Sequence, residues 1–271
     1  MYDPHPTTLA MAKLVQTLIP ILPSIAIILA VANTACSQTT TFTYDFSGDH
    51  PKNHLTYQGD AHFPSETTHL RLTNPEPSQV GRALHPTPIQ FWQTNGQIDF
   101  KTTINFIITP KEDKLPADGL AFFIAPAGST IPVGSSGANL GIFNSSGIDP
   151  SVFAVEFDSH VNDPWDPNFR HVGIDIGSRI SSNATEVGGA ITGQRVSARI
   201  NYAGATKKIT VHVTAGEKAF HVSYEKNLSS FLPEKVQVGI SASTGEETAT
   251  HDVVSWYFSA TMVNHKSSIT I

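Results

Sequence analysis

From residue 38 onward the sequence alternates with a period of two and nowhere settles into the 3.6-residue period of a helix. Ile98, Phe100, Thr102, Ile104, Phe106 and Ile108 share one face of an extended segment, with Asp99, Lys101, Thr103 and Asn105 on the other. A segment of that kind buries one side and wets the other, so it needs a second layer to cover it. Val196, Ala198, Ile200 and Tyr202 repeat the pattern. Ala203-Gly204-Ala205 then turns the chain into Ile209, Val211 and Val213, a predicted hairpin. Further strands are predicted at 69–73, 81–92, 118–125, 152–159, 171–176, 219–224, 235–242 and 253–262. Short strands separated by turn residues, in a chain with 19 Gly and 18 Pro, indicate an all-β sandwich or barrel. No linker or repeat divides residues 38–271, so one domain is expected. Its Gly-, Pro- and Ser-rich loops at 110–118, 126–140 and 144–151 are where a rigid sandwich would carry a binding site.

The formal net charge is −6 and Lys and Arg are not clustered, which disfavours electrostatic binding to nucleic acid or anionic membrane. At the N-terminus, Lys13 precedes the apolar run Leu18–Ala32 and the small residues Ala35-Cys36-Ser37. This order predicts a signal peptide over 1–37, with Met11 as an alternative start and 1–10 as an upstream extension. A secreted, extracellular or vacuolar protein follows. Cys36, the single cysteine, falls in the removed segment, leaving core burial and any bound ions to hold the mature chain. The sequons at Asn144, Asn183 and Asn227 are candidate glycosylation sites.

Val155–Asp175 concentrates the chemistry. Glu156 and Asp158 are two residues apart on a predicted strand, so their carboxylates leave the same face while Val155 and Phe157 enter a core. Two carboxylates held side by side repel each other unless something cationic stands between them. The following loop adds Asn162, Asp166 and His171, which are donors of lone pairs and not cations. Four oxygen-bearing side chains suit a hard ion such as calcium, and the imidazole suits a transition ion such as manganese. The alternative is a solvated acidic loop that contains a histidine. Elsewhere, Asp118-Gly119 opens an apolar strand, where an acid accepts hydroxyl hydrogen bonds and a glycine admits a ligand. Gly134–Phe143 offers backbone N–H donors, and Thr244–Thr250 is a short polar loop. Taken singly, Asp118-Gly119 reads first as an ordinary turn before a buried strand, and Gly134–Phe143 as a plain connection.

In combination these segments resemble the legume lectin family across nearly the whole mature chain. The markers are TYDFSG (Thr43–Gly48), ADGLAFFIAP (Ala117–Pro126), LGIF (Leu140–Phe143), VEFD with NDPWDPN, RHVGIDI, and HDVVSWYFSATM (His251–Met262). The resemblance implies a concanavalin-like jelly-roll sandwich: a flat back sheet, a curved front sheet and a shallow sugar site. It implies one manganese and one calcium. Glu156 and His171 would bind manganese, Asp158 and Asp166 would bridge the two ions, and Asn162 with the His160 carbonyl would complete the calcium shell. It also implies sugar binding without chemistry. Asp118, after a cis peptide, would accept from two hydroxyls, and Asn162 and an N–H of the Gly137-Ala138 loop would donate. Glu246 and Glu247 of the last loop would reach the sugar.

Two residues depart from the family pattern. His160 stands where an aromatic ring commonly stacks on the sugar, and Ala138 where glycine is usual, so weakened or shifted sugar binding is expected. The five residues between Gly245 and His251 resemble the short last loop of mannose/glucose-binding members. Partners are therefore expected to be mannose/glucose-type glycans or glycoproteins, presented by a homodimer or homotetramer. The rival functions are a sugar-blind defence or storage relative and a glucan hydrolase. The hydrolase needs a second glutamate on the Glu156 strand face to act as general acid; His160 occupies that position.

Overall fold

The computed structural model describes residues 38–48, 54–94 and 96–264. The predicted signal peptide, Cys36 included, lies outside the described residues. Among the described residues there are fifteen strands: β1 (Gln38–Asp45), β2 (Thr56–Gly59), β3 (Leu70–Thr73), β4 (Val80–Leu84), β5 (Ile89–Gln90), β6 (Gly96–Pro110), β7 (Gly119–Pro126), β8 (Ile148–Asp158), β9 (His171–Ser178), β10 (Asn183–Glu186), β11 (Arg195–Ala203), β12 (Lys208–Ala215), β13 (Lys218–Glu225), β14 (Lys235–Ser243) and β15 (Ala249–Asn264). A seven-stranded sheet runs β1-β15-β6-β11-β12-β13, with β3 on β15. An eight-stranded sheet runs β10-β9-β8-β7-β14-β4-β2, with β5 on β14. Every pairing is antiparallel. No helix among the described residues is long and apolar enough to cross a membrane.

The alternating segment 98–108 forms the middle of β6, and β11 and β12 form the expected hairpin, Ala203 opposite Lys208. The predicted strand 81–92 is instead two strands, β4 and β5. Pro86 and Pro88 fall between them; neither has an N–H to give a ladder, and each restrains the residue before it. β1, β2 and β10 were not anticipated. β1 is rich in Thr and lies at a sheet edge, and β2 and β10 are four residues each, too short to show a period.

The main core lies between the sheets, where Phe100, Phe106, Phe122, Phe153, Phe157, Trp256 and Phe258 interlock, the Phe106 and Phe157 rings 4.8 Å apart. Within it the Trp256 indole donates to Thr102 Oγ1 at 3.0 Å, and Thr102 Oγ1 donates to the Tyr257 carbonyl at 2.7 Å. Thr102→Val keeps the shape but leaves a buried indole N–H unpaired. It is expected to cost about 1–3 kcal/mol, read as a lower midpoint in urea.

A smaller apolar cluster occupies the other face of the eight-stranded sheet. Leu140, Ile142 and Phe143 pack there on Ala121, Phe123 and Ala125 of β7. Because β7 alternates faces, Phe122 enters the main core while Phe123 holds this loop. The short 3₁₀ turn Gly137–Asn139 is thereby fastened to the sheet, with Ser243 Oγ donating to the Gly137 carbonyl at 2.6 Å and Ser241 Oγ to that of Leu140 at 2.5 Å.

Candidate functional site: an acidic cluster beneath a shallow cavity

Asp118 enters β7 from a cis Ala117–Asp118 peptide. Its N–H donates to the Ser243 carbonyl at 3.0 Å, and its own carbonyl accepts from Ser159 N and Ser159 Oγ, both at 2.9 Å. The ends of β14 and β8 thus clamp its backbone from two sides. The buried carboxylate accepts from Asn162 Nδ2 at 3.3 Å, whereas its second oxygen has no partner. Burial raises its pKa to about 6, the nearby Asp166 adding to the shift.

The last loop closes over Asp118. Gly245 comes so near that a Cβ there would stand 3.0 Å from Asp118 Oδ2, which explains a glycine at that position. Segment 76–79 pins the loop: Thr244 Oγ1 donates to the Glu76 carbonyl at 2.6 Å, Thr244 N to that of Gln79 at 3.0 Å, and Ser78 N to that of Gly245 at 3.0 Å. Nothing in the local sequence of either segment signals this pairing.

All seven residues singled out for sugar contact line one open cavity of about 390 Å³: Asp118, Gly137, Ala138, His160, Asn162, Glu246 and Glu247. The Gly137 N–H is taken by the Thr244 carbonyl at 3.1 Å. The Ala138 N–H has no acceptor among the described residues and is the one left to face a ligand. Trp165 and Arg179 also line the cavity, and the sequence reading missed both.

Below the cavity floor, Glu156, Asp158 and His171 place ligand atoms within 4.8 Å of one another, all three residues buried. The strand register produces this. β8 sends Glu156 and Asp158 to the face opposite Val155 and Phe157, and β9 begins at His171, whose Nε2 lies 2.9 Å from Glu156 Oε1. Asp166 and Asn162 complete the set from the loop, Asn162 N donating to Asp166 Oδ2 at 2.6 Å. His160 N donates to Asp158 Oδ1 at 2.7 Å.

The charges conflict. Burial, then Glu156 and Asp166, hold Asp158 well above the usual carboxylate range. Burial and Glu156 raise Asp166 to about 6, although the Asn162 N–H opposes the shift. Burial pushes His171 down, but Glu156 and Asp166 more than offset it, so its pKa is raised.

A further acid, Asp175, belongs to this cluster. It is fully buried and held far above the carboxylate range by burial and by Glu156, and the single Ser181 hydroxyl proton is shared between Asp175 Oδ1, 2.8 Å from Ser181 Oγ, and Glu156 Oε1, 2.6 Å from it. The period of two would have found it, since His171, Gly173 and Asp175 share one face of β9. Gly173 leaves room for this contact, because a Cβ there would lie 1.9 Å from Ser181 Oγ and 2.6 Å from Glu156 Oε1.

Asp118 Oδ2, Asn162 Oδ1 and Asp175 Oδ2 are buried without a hydrogen-bond partner. Unpaired acceptors over a set of mutually repelling carboxylates fit divalent cations, and the mixture of oxygens with one imidazole fits the donor chemistry of a hard ion beside a transition ion.

The Legume lectin domain profile matches residues 39–270. The chain belongs to the legume lectin family. Agglutinin-2 of Cladrastis kentukea is 38% identical over 267 residues, 92% of this chain and 91% of the relative. Bark leucoagglutinin of Maackia amurensis is 40% identical over 232 residues, 80% of each. Among solved structures, lectin UEA-II complexed with galactose superposes with a TM-score of 0.74 at 34% identity, covering 82% of this chain and 98% of its own. This legume lectin has the concanavalin-like sandwich of its family and is a carbohydrate-binding protein, not an enzyme. The three sequons differ in setting. Asn144 is exposed, its Oδ1 accepting from Ser146 Oγ at 2.6 Å; Asn183 is exposed but its Nδ2 donates to the Ser223 carbonyl at 2.8 Å; Asn227 is half-buried beside the 3₁₀ turn Leu228–Ser230.

Proposed function

We propose that this legume lectin is a secreted, divalent-metal-dependent binder of mannose/glucose-type glycans, freed of its N-terminal segment 1–37 and carrying glycans at its sequons. The observation that carries the sugar site is the Asp118 carboxylate, clamped by its backbone, with one oxygen on Asn162 Nδ2 and the other unpartnered beside an open cavity. A carboxylate accepts from two neighbouring hydroxyls, Asn162 and the Ala138 N–H donate, and the half-buried His160 ring covers an apolar sugar face. Glu156 and His171 would hold manganese, Asp158 and Asp166 both ions, and Asn162 with the His160 carbonyl calcium. Bound there, the ions supply positive charge to the buried acids and keep them ionised. Sites this shallow bind weakly one at a time, so we further propose association through the outer sheet face into homodimers or homotetramers, where avidity accumulates.

The mannose/glucose preference rests on the short Gly245–His251 loop. The UEA-II complex with galactose makes galactose the rival sugar. Calorimetric titration of the metal-loaded protein with methyl α-mannoside and with galactose tests it. The mannoside is expected to bind with a Kd of about 1 mM and galactose at least about tenfold more weakly. The reverse ranking would overturn the sugar assignment. Silence toward both sugars would overturn sugar binding and favour the sugar-blind relative, with His160 and Ala138 as the reason.

A further inference from the structure

Arg179 immediately follows β9 and turns into the wall of the cavity that holds Asp118. It is held in place on three sides. Its guanidinium carbon sits 3.8 Å over the Trp165 ring, its Nη1 donates to Asn139 Oδ1 at 2.9 Å, and its Nε packs against Gly147, where a Cβ would come within 2.5 Å. Its backbone N–H also bonds to the Gly147 carbonyl at 2.9 Å. Among the described residues it makes no ion pair, and the carboxylate whose charge it feels is that of Asp166, which lies beyond salt-bridge distance. A guanidinium carries five N–H donors and no acceptor, so most of that capacity is left for a ligand. Next to it, the Trp165 indole N–H is buried and unpartnered.

An immobilised but unpaired guanidinium has already lost the rotamer freedom that an arginine loses on binding an anion. The rest of the cavity is polarised differently. Glu246 and Glu247 also line it, and Glu247 lies in the field of His160. Asp118, with Asp166 nearby, repels an anionic group on the sugar it holds. A negative charge is therefore better placed beside Arg179, on a neighbouring sugar, than on the sugar at Asp118. A planar carboxylate matches the guanidinium fork in two parallel hydrogen bonds, which a tetrahedral sulfate ester matches less well.

We propose that Arg179, braced by Trp165 and Asn139, is an anion subsite that selects glycans bearing a carboxylate on the sugar next to the one held by Asp118. This rests on the sugar reading of the cavity given above. The test is titration of the full metal-loaded protein with matched disaccharides that keep the same terminal hexose. Their second residue is neutral, a uronic acid or a 6-sulfate, and mannosyl and galactosyl series are run in parallel. The uronate is expected to bind about tenfold more tightly than the neutral disaccharide at low salt, as a charge-assisted hydrogen bond allows, and the advantage should shrink at high ionic strength. Arg179→Gln should bring the uronate-to-neutral ratio to about one, and Arg179→Lys should restore part of it. The native ratio and its salt dependence stand even where a variant fails to fold. Neutral disaccharides binding as tightly as uronates would overturn the subsite while leaving the sugar site in place. Preference for sulfate over uronate would overturn the carboxylate assignment. Failure of every disaccharide would overturn the sugar reading itself.

Discussion

Chelation of divalent cations is expected to abolish sugar binding and to lower the melting temperature at pH 7 by about 10 °C or more. Two ions, each held at about 100 times its dissociation constant, would stabilise the fold by about 2.7 kcal/mol apiece, and about 2–4 °C follows each kcal/mol for a domain of this size. The effect is large because Glu156, Asp158 and Asp166, with Asp175 behind them, repel one another in a buried space. The metal-free protein should also show an inverted pH dependence. Asp118 and Asp166 have folded pKa values near 6, against an ordinary aspartate value of 3.8. A carboxyl raised in the folded state holds its proton more tightly there, so it favours folding at low pH, and that contribution is lost as pH rises from about 4 through 6. Without metal the protein should melt higher at pH 5 than at pH 7, by about 2–5 °C once the partial exposure of Asp166 is discounted. With metal the order should reverse, because the ions need ionised carboxylates and a neutral His171. Thermal melts at the two pH values, with and without chelator, read both effects. A metal-free protein that melts higher at pH 7 would count against the acidic cluster as a metal centre.

Asp118→Asn should reduce sugar affinity at least about 100-fold, below detection for a site of millimolar strength. Two hydroxyl bonds to a charged acceptor are worth about 1.5–3 kcal/mol each, and the amide turns one acceptor into a donor facing the hydroxyl. The fold should survive. Asp118 makes its β7, β8 and β14 connections through its backbone, and removing a buried charge whose pKa is raised relieves the interior. An unchanged melting temperature together with lost binding is the expected pair of results. Retained affinity would move the sugar site elsewhere.

The all-β class and most strands were legible because burial on one face imposes a period of two that no other element shares. The breaks in that reading fall in β2 and β10, too short to show a period, in the Thr-rich edge strand β1, whose two faces differ little in polarity, and between β4 and β5, where proline interrupts it. At the site, Glu156, Asp158, Asn162, Asp166 and His171 announce themselves because five donors stand within sixteen residues of each other. Asp175 sits on the same strand face as His171, so the period of two places it beside the cluster, and its contacts with Ser181, shared with Glu156, make it a member.

Residue identity and spacing thus determined the layering of the chain, its acidic cluster and the candidates for sugar contact, since each depends on neighbours along one strand or loop. Tertiary structure decided what those residues face. It pinned the last loop onto segment 76–79, closed Gly245 over Asp118, spent the Gly137 N–H and left that of Ala138. It also stacked Arg179 on Trp165 with no ion pair to hold it. These contacts join segments up to about 170 positions apart. Their distances depend on how two sheets and three loops pack together, and no local pattern of side chains encodes that.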